Sequence, residues 1–124
     1  MIVLLIAIGG AVGSVARYLM GRAVQGVLHP EFPIGTLAVN VAGCLLIGVL
    51  AKFFLHSQTE LPLRATLMIG FCGGFTTFSS FSLETLGLIQ GGEWGKAAAY
   101  VALSALVCVG ATAAGFAVGR SLNP

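Results

Sequence analysis

Four apolar stretches, each free of charge for sixteen residues or more, constrain this chain more than any other feature. They cover residues 1–16, 34–51, 65–83 and 97–119. A helix rises about 1.5 Å per residue and needs about 20 apolar residues to cross the hydrocarbon core of a bilayer. With their flanks, the stretches predict four spans at about residues 2–27, 33–55, 62–88 and 95–120. Composition agrees: 57% of residues are hydrophobic and only 8% are charged, whereas soluble domains carry about a quarter charged residues. The predicted fold class is an all-α membrane protein, with residues 1–124 forming one four-helix transmembrane domain.

The connections suit this reading. His29-Pro30-Glu31-Phe32-Pro33 cannot continue a helix, because each proline removes a backbone donor. Residues 56–61 are polar, and Pro62 fits the first turn of the third span. Gln90-Gly91-Gly92-Glu93 reads as a turn, with Trp94 beside it as an interfacial anchor. Residues 1–8 resemble the apolar part of a signal peptide. No Lys or Arg precedes them and Arg17 follows, so the segment is expected to stay as the first span. The net charge is +2 with no basic cluster, which excludes nucleic acid as a partner. Cys44, Cys72 and Cys108 sit singly in apolar runs without CxxC spacing and read as buried small residues.

The six basic residues divide evenly across the membrane. Arg17, Arg22 and Lys96 fall toward one side, and Lys52, Arg64 and Arg120 toward the other. Orientation follows an excess of Lys and Arg on the cytoplasmic side, and here there is none. The chain is therefore expected to insert both ways and to pair antiparallel with a second copy. Gly9 and Gly13 in the first span, and Ala111, Gly115 and Gly119 in the fourth, form small-residue stripes that let helices approach closely. Self-association is the expected use of these stripes, in preference to packing within one chain.

The uncharged middle carries ordered polar groups. Thr36, Asn40, Cys44 and Gly48 recur every four residues, as do Tyr100, Ser104, Cys108 and Thr112, so each set lies on one helical face. Two readings stay open for Asn40: glue between helices, or a donor lining a path. In the third span, Gly73 to Thr77 read as a break, because adjacent glycines and a Thr/Ser run weaken a helix. A break at mid-membrane depth frees carbonyls, which must meet protein, water or an ion. Phe75, Phe78 and Phe81 are three apart and are expected to share a face. Their electropositive edges, with Ser79 and Ser82, suit an anion held weakly at several points, as conduction requires.

Gly9-Gly10-Ala11-Val12-Gly13-Ser14-Val15-Ala16-Arg17-Tyr18, Gly35-Thr36-Leu37-Ala38-Val39-Asn40, and Gly73-Gly74-Phe75-Thr76-Thr77-Phe78-Ser79-Ser80-Phe81-Ser82 with Glu84 resemble the Fluc/CrcB fluoride channels. The resemblance runs through essentially the whole chain. It implies a fluoride-selective channel in the cytoplasmic (inner) membrane of a prokaryote, exporting fluoride passively and protecting against its toxicity. It also implies a dual-topology homodimer with two antiparallel pores and a central structural sodium ion, Na+. By that likeness Phe78 and Phe81 are pore phenylalanines, and Ser79, Ser82 and Thr112 are hydroxyls along the fluoride track. Asn40 is a pore donor, while Tyr100 and Ser104 line the pathway. The backbone carbonyls of Gly73 and Thr76, from both subunits, hold the sodium. Arg17 looks like the vestibule arginine and Glu84 like the acid closing the motif. Cys108 stands where a hydroxyl would be the stronger donor.

Two other classes are compatible with four short spans. A coupled exporter of the small multidrug-resistance type needs a titratable group within the membrane, and the first span has no acid. A non-transporting accessory subunit would not need an ordered Phe/Ser/Thr face. No nucleophile–base pair or metal triad is visible in the sequence, so no enzymatic activity is expected.

Overall fold

A computed structural model describes residues 1–28, 31–55 and 61–122. Within them the chain is all-helical. Helix α1 is Ile2–Leu28, α2 is Ile34–Leu55, α3 covers residues 61–75, α4 is Phe78–Gln90 and α5 is Trp94–Leu122. Four segments are long and apolar enough to cross a membrane, with α3 and α4 together forming the third. Parts of both polar connections, His29 and Pro30 and residues 56–60, lie outside the described residues.

The apolar sequence makes these segments helical, and glycine decides how they pack. A Cβ at Gly9 would overlap the Thr66 carbonyl, one at Gly13 the Phe71 carbonyl, and one at Gly74 the Gly10 carbonyl. Helices α1 and α3 therefore touch backbone to backbone. Helices α2 and α5 do the same: a Cβ at Gly48 would overlap the Thr112 carbonyl, and one at Gly115 the Leu45 carbonyl. The expectation that the small-residue stripes serve self-association is thus corrected. Each stripe is filled by a neighbouring helix of the same chain. In lipid, where tails are as apolar as the helices, such close van der Waals contact is what holds helices together.

The third span is the irregular one. Residues 65–72 wind more widely than an α-helix, with i→i+5 spacing, a form frequent at functional sites. After Phe75 the helix stops. Thr76 and Thr77 are extended, at φ/ψ of −80°/156° and −147°/115°. The interruption is narrower than the sequence suggests, because Gly73 stays helical at −64°/−38°. Thr77 then caps α4, its hydroxyl accepting from the Ser80 N–H at 3.1 Å. A Thr three residues ahead of that donor is a standard N-cap arrangement.

Two connections pin the end of the molecule nearest Trp94. Between α4 and α5 the chain turns through Gly92, whose φ of 76° favours glycine, while the Glu93 N–H closes onto the Leu88 carbonyl at 2.8 Å. Before α2, Gln25 holds the incoming strand of chain: its Nε2 donates to the Phe32 carbonyl at 3.2 Å and its Oε1 accepts from the Gly35 N–H at 2.9 Å. Lys96 meets Glu31 at 2.7 Å, and that hydrogen bond holds the exposed Glu31 carboxyl below its ordinary range.

Candidate functional site

Helices α2 and α5 run parallel, and their two polar stripes meet rung by rung at a constant offset of 64 in residue number. On the first rung, the Thr36 and Tyr100 hydroxyls each donate to the Glu84 carboxylate at 2.7 Å. On the second, Asn40 and Ser104 line one cavity of about 750 Å³. On the third, Cys44 and Cys108 border the same cavity. On the fourth, Gly48 lies against the Thr112 carbonyl.

The second rung is the chemical centre. Asn40 grips both peptide groups of the interruption: its Nδ2 donates to the Thr77 carbonyl at 3.0 Å and its Oδ1 accepts from the Thr77 N–H at 2.8 Å. Gly43, one turn along α2, makes room for Thr76 and Phe75, since a Cβ there would overlap the Thr76 methyl. This settles how an extended pair survives in an apolar setting, where each unpaired backbone group costs several kcal/mol. Ser104 behaves differently. It is 9% exposed, and its Oγ is the one buried side-chain oxygen or nitrogen among the described residues without a hydrogen-bond partner. A hydroxyl held in such a state costs about 1–3 kcal/mol.

The remaining predicted residues fall around this rung. Phe78 and Phe81 line the cavity, with ring centroids 5.2 Å apart. Phe75 does not join them. It precedes the interruption, is buried, and stacks on Phe71 at 5.6 Å, because the extended residues reset the helical phase between Phe75 and Phe78. Phe81 also packs on Tyr100 at 5.2 Å. Ser79 and Ser82 are exposed, and the Ser79 hydroxyl is 3.2 Å from that of Thr77. Thr112 turns its hydroxyl back onto the Cys108 carbonyl at 3.1 Å. Tyr100 is fully buried. Gly73 and Thr76 both border the cavity. Arg17 is not confined to a span end: its guanidinium donates to the Thr76 carbonyl at 3.5 Å.

Sequence reasoning underrated three residues. Thr36 and Glu84 also line a second cavity of about 520 Å³, which opens among Arg22, Glu31 and Glu93. Glu84 sits within the helix Phe78–Gln90 and not at its end, and Thr77 is the cap of that helix. The four-residue spacing of Thr36, and the Thr-x-x-Ser pattern from Thr77 to Ser80, were the available signals.

Residues 4–116 match the family described as CrcB-like protein, Camphor Resistance (CrcB). The chain belongs to the CrcB family. It is 50% identical over 120 residues to a protein of Nitrobacter winogradskyi, covering 95% of this chain and 94% of that one. It is 46% identical over 120 residues to one of Rhizobium etli, covering 96% of each. It is 48% identical over 121 residues to one of Caulobacter vibrioides, covering 96% of this chain and 95% of the other. Each of these relatives is named Fluoride-specific ion channel FluC. Bacterial relatives and four membrane-capable helices make this CrcB member a multi-pass prokaryotic membrane protein.

Proposed function

We propose that the chain is a fluoride-selective channel that exports the ion passively and so protects the cell against fluoride. The observation that carries this reading is the unpartnered Ser104 hydroxyl in a cavity bordered by Asn40, Phe78 and Phe81. A hydroxyl donor and electropositive ring edges attract a small anion without trapping it. The N-terminus of α4, interrupted in mid-membrane, adds the positive end of a helix dipole at the same place. Farther along, Thr36 and Tyr100 present hydroxyls that an anion would share with Glu84. With no basic side chain on the second rung, binding stays weak and the ion moves on. An interior-negative potential drives an anion outward at about 2.3 kcal/mol per 100 mV.

An antiparallel homodimer completes the reading. The even split of basic residues favours insertion both ways. Phe78 is 79% exposed beside the exposed hydroxyls of Ser79 and Ser82, a polar strip that is costly against lipid and favourable against a second copy. A sodium ion at the dimer centre also fits the donors. The Thr77 N–H that would close onto the Gly73 carbonyl in a continuing helix is turned to Asn40. Gly73 is exposed, and Arg17 reaches the Thr76 carbonyl only at 3.5 Å, leaving a lone pair on each oxygen. Carbonyls of an unwound segment are suited to sodium, which would hold the two interruptions together by charge.

One growth experiment tests function and assembly together. In a bacterium stripped of its own fluoride exporter, expression of the chain is expected to restore growth in fluoride. Gln90→Lys with Gly91→Lys loads one side of the membrane, and Ser121→Lys with Leu122→Lys loads the other. Either pair alone is expected to lose protection, and the two co-expressed to regain it. Full protection from one loaded copy alone would count against antiparallel pairing.

A further inference from the structure

Cys44 on α2 and Cys108 on α5 form the third rung of the helix pair and border one cavity. Both are free thiols and half-buried, and both line the same cavity as Asn40, Ser104, Phe78 and Phe81. The helices that carry them cannot part easily, because their backbones meet one turn on at Gly48 and Thr112, and again at Gly115 and Leu45. Two sulfur donors therefore stand at matching positions on a closely packed helix pair, bordering open space and lying one helical turn, about 5 Å, from the Asn40–Ser104 rung.

We propose that Cys44 and Cys108 form a binding site for a soft divalent cation that accepts two sulfur ligands, the mercuric ion being the type, and that a metal seated there closes the anion path. Thiolate donors select soft metals. On binding, each S–H bond breaks heterolytically, two sulfur–metal bonds form, and two protons leave to water. No electron is transferred. The product is neutral, since two thiolate charges balance the dication, and neutrality suits an apolar interior in which isolated charge is costly. Zinc is not matched, because a structural zinc takes four ligands and no group of three or more His, Cys, Asp or Glu gathers among the described residues. Cys72 borders the cavity from α3 but is only 1% exposed.

The site does not depend on what the path carries, but its blocking effect rests on the fluoride reading. The test is to titrate the purified, reconstituted protein with mercuric chloride while following mercury–thiolate absorbance in the near ultraviolet and fluoride efflux from liposomes. Absorbance is expected to saturate at one mercury per chain. Efflux is expected to fall by about tenfold or more, as occlusion of a narrow path demands, and to recover with dithiothreitol. Cys44→Ser and Cys108→Ser should each lose the absorbance and each keep its own efflux rate under mercury. Cys72→Ser should stay as sensitive as the parent, and zinc chloride should have no effect. Absorbance that persists in the Cys44→Ser/Cys108→Ser double variant, or that is lost in Cys72→Ser, would overturn the site. Saturated binding with undiminished efflux would overturn the block. Cysteine-dependent absorbance in a protein that conducts no fluoride would keep the metal site and retire the fluoride reading.

Discussion

Asn40→Ala is expected to abolish measurable fluoride efflux and to lower the thermal stability of the purified protein. The side chain satisfies the Thr77 N–H and the Thr77 carbonyl together. Its removal strands two backbone groups in a segment that is 7% exposed at Thr77. At about 1–3 kcal/mol for each unsatisfied group, the loss is large beside a total stability of about 5–15 kcal/mol. Thr76 and Thr77 would then have reason to rejoin the helix, which would turn Phe78, Phe81 and the α4 N-terminus away from the cavity. Asn40→Asp keeps an acceptor for the Thr77 N–H and should retain more stability than Asn40→Ala, while its charge should repel an anion. A stable Asn40→Ala protein with normal efflux would remove Asn40 from both roles.

Ser104→Ala is expected to separate the two roles that Asn40 combines. The Ser104 hydroxyl holds no partner within the protein, so its loss should leave the melting temperature unchanged or raise it, by the rule that deleting an unsatisfied buried polar group is neutral or stabilising. Efflux should nevertheless fall by about tenfold or more, a barrier increase of about 1.4 kcal/mol. Ser104→Thr, which keeps the hydroxyl, should recover part of the rate. Lower stability with unaltered efflux would make Ser104 a packing residue only.

How much of this could be read in the sequence varies from one feature to the next. The four spans were legible because charge is nearly absent between residues 34 and 51, 65 and 83, and 97 and 119, and few solvents other than lipid accommodate such runs. The two polar stripes were legible from their four-residue spacing. Their pairing was not, since the register between α2 and α5 is set by where Gly48 and Gly115 allow backbones to touch. A small-residue stripe does not name the helix that fills it, which is why Gly9 and Gly13 pointed toward a second copy when α3 of the same chain takes the place. The interruption was expected over Gly73 to Thr77 because adjacent glycines and a Thr/Ser run weaken a helix. It is confined to Thr76 and Thr77 within that stretch, where Asn40 can satisfy the freed peptide groups and the Thr77 hydroxyl can restart the helix. The wide winding of residues 65–72 has no signature in residue spacing.

Glu84 shows the same limit from another side. As the acid after a Phe/Ser run it looked only like the residue closing the motif. In the folded chain its two oxygens accept from Thr36 and Tyr100 at 2.7 Å, so three helices converge on one carboxylate that borders the smaller cavity. Partners separated by 48 and 16 residues leave no trace in local pattern.

The central claim is that the ladder between α2 and α5, with the α4 N-terminus beside it, passes fluoride and rejects larger anions. The most direct measurement loads liposomes containing the purified protein with potassium fluoride or potassium chloride, collapses the potential with valinomycin, and follows each anion with an ion-selective electrode. Fluoride is predicted to leave at least about a hundredfold faster than chloride, a difference of about 2.7 kcal/mol in barrier. Equal rates for the two anions, or no efflux of either, would contradict the account.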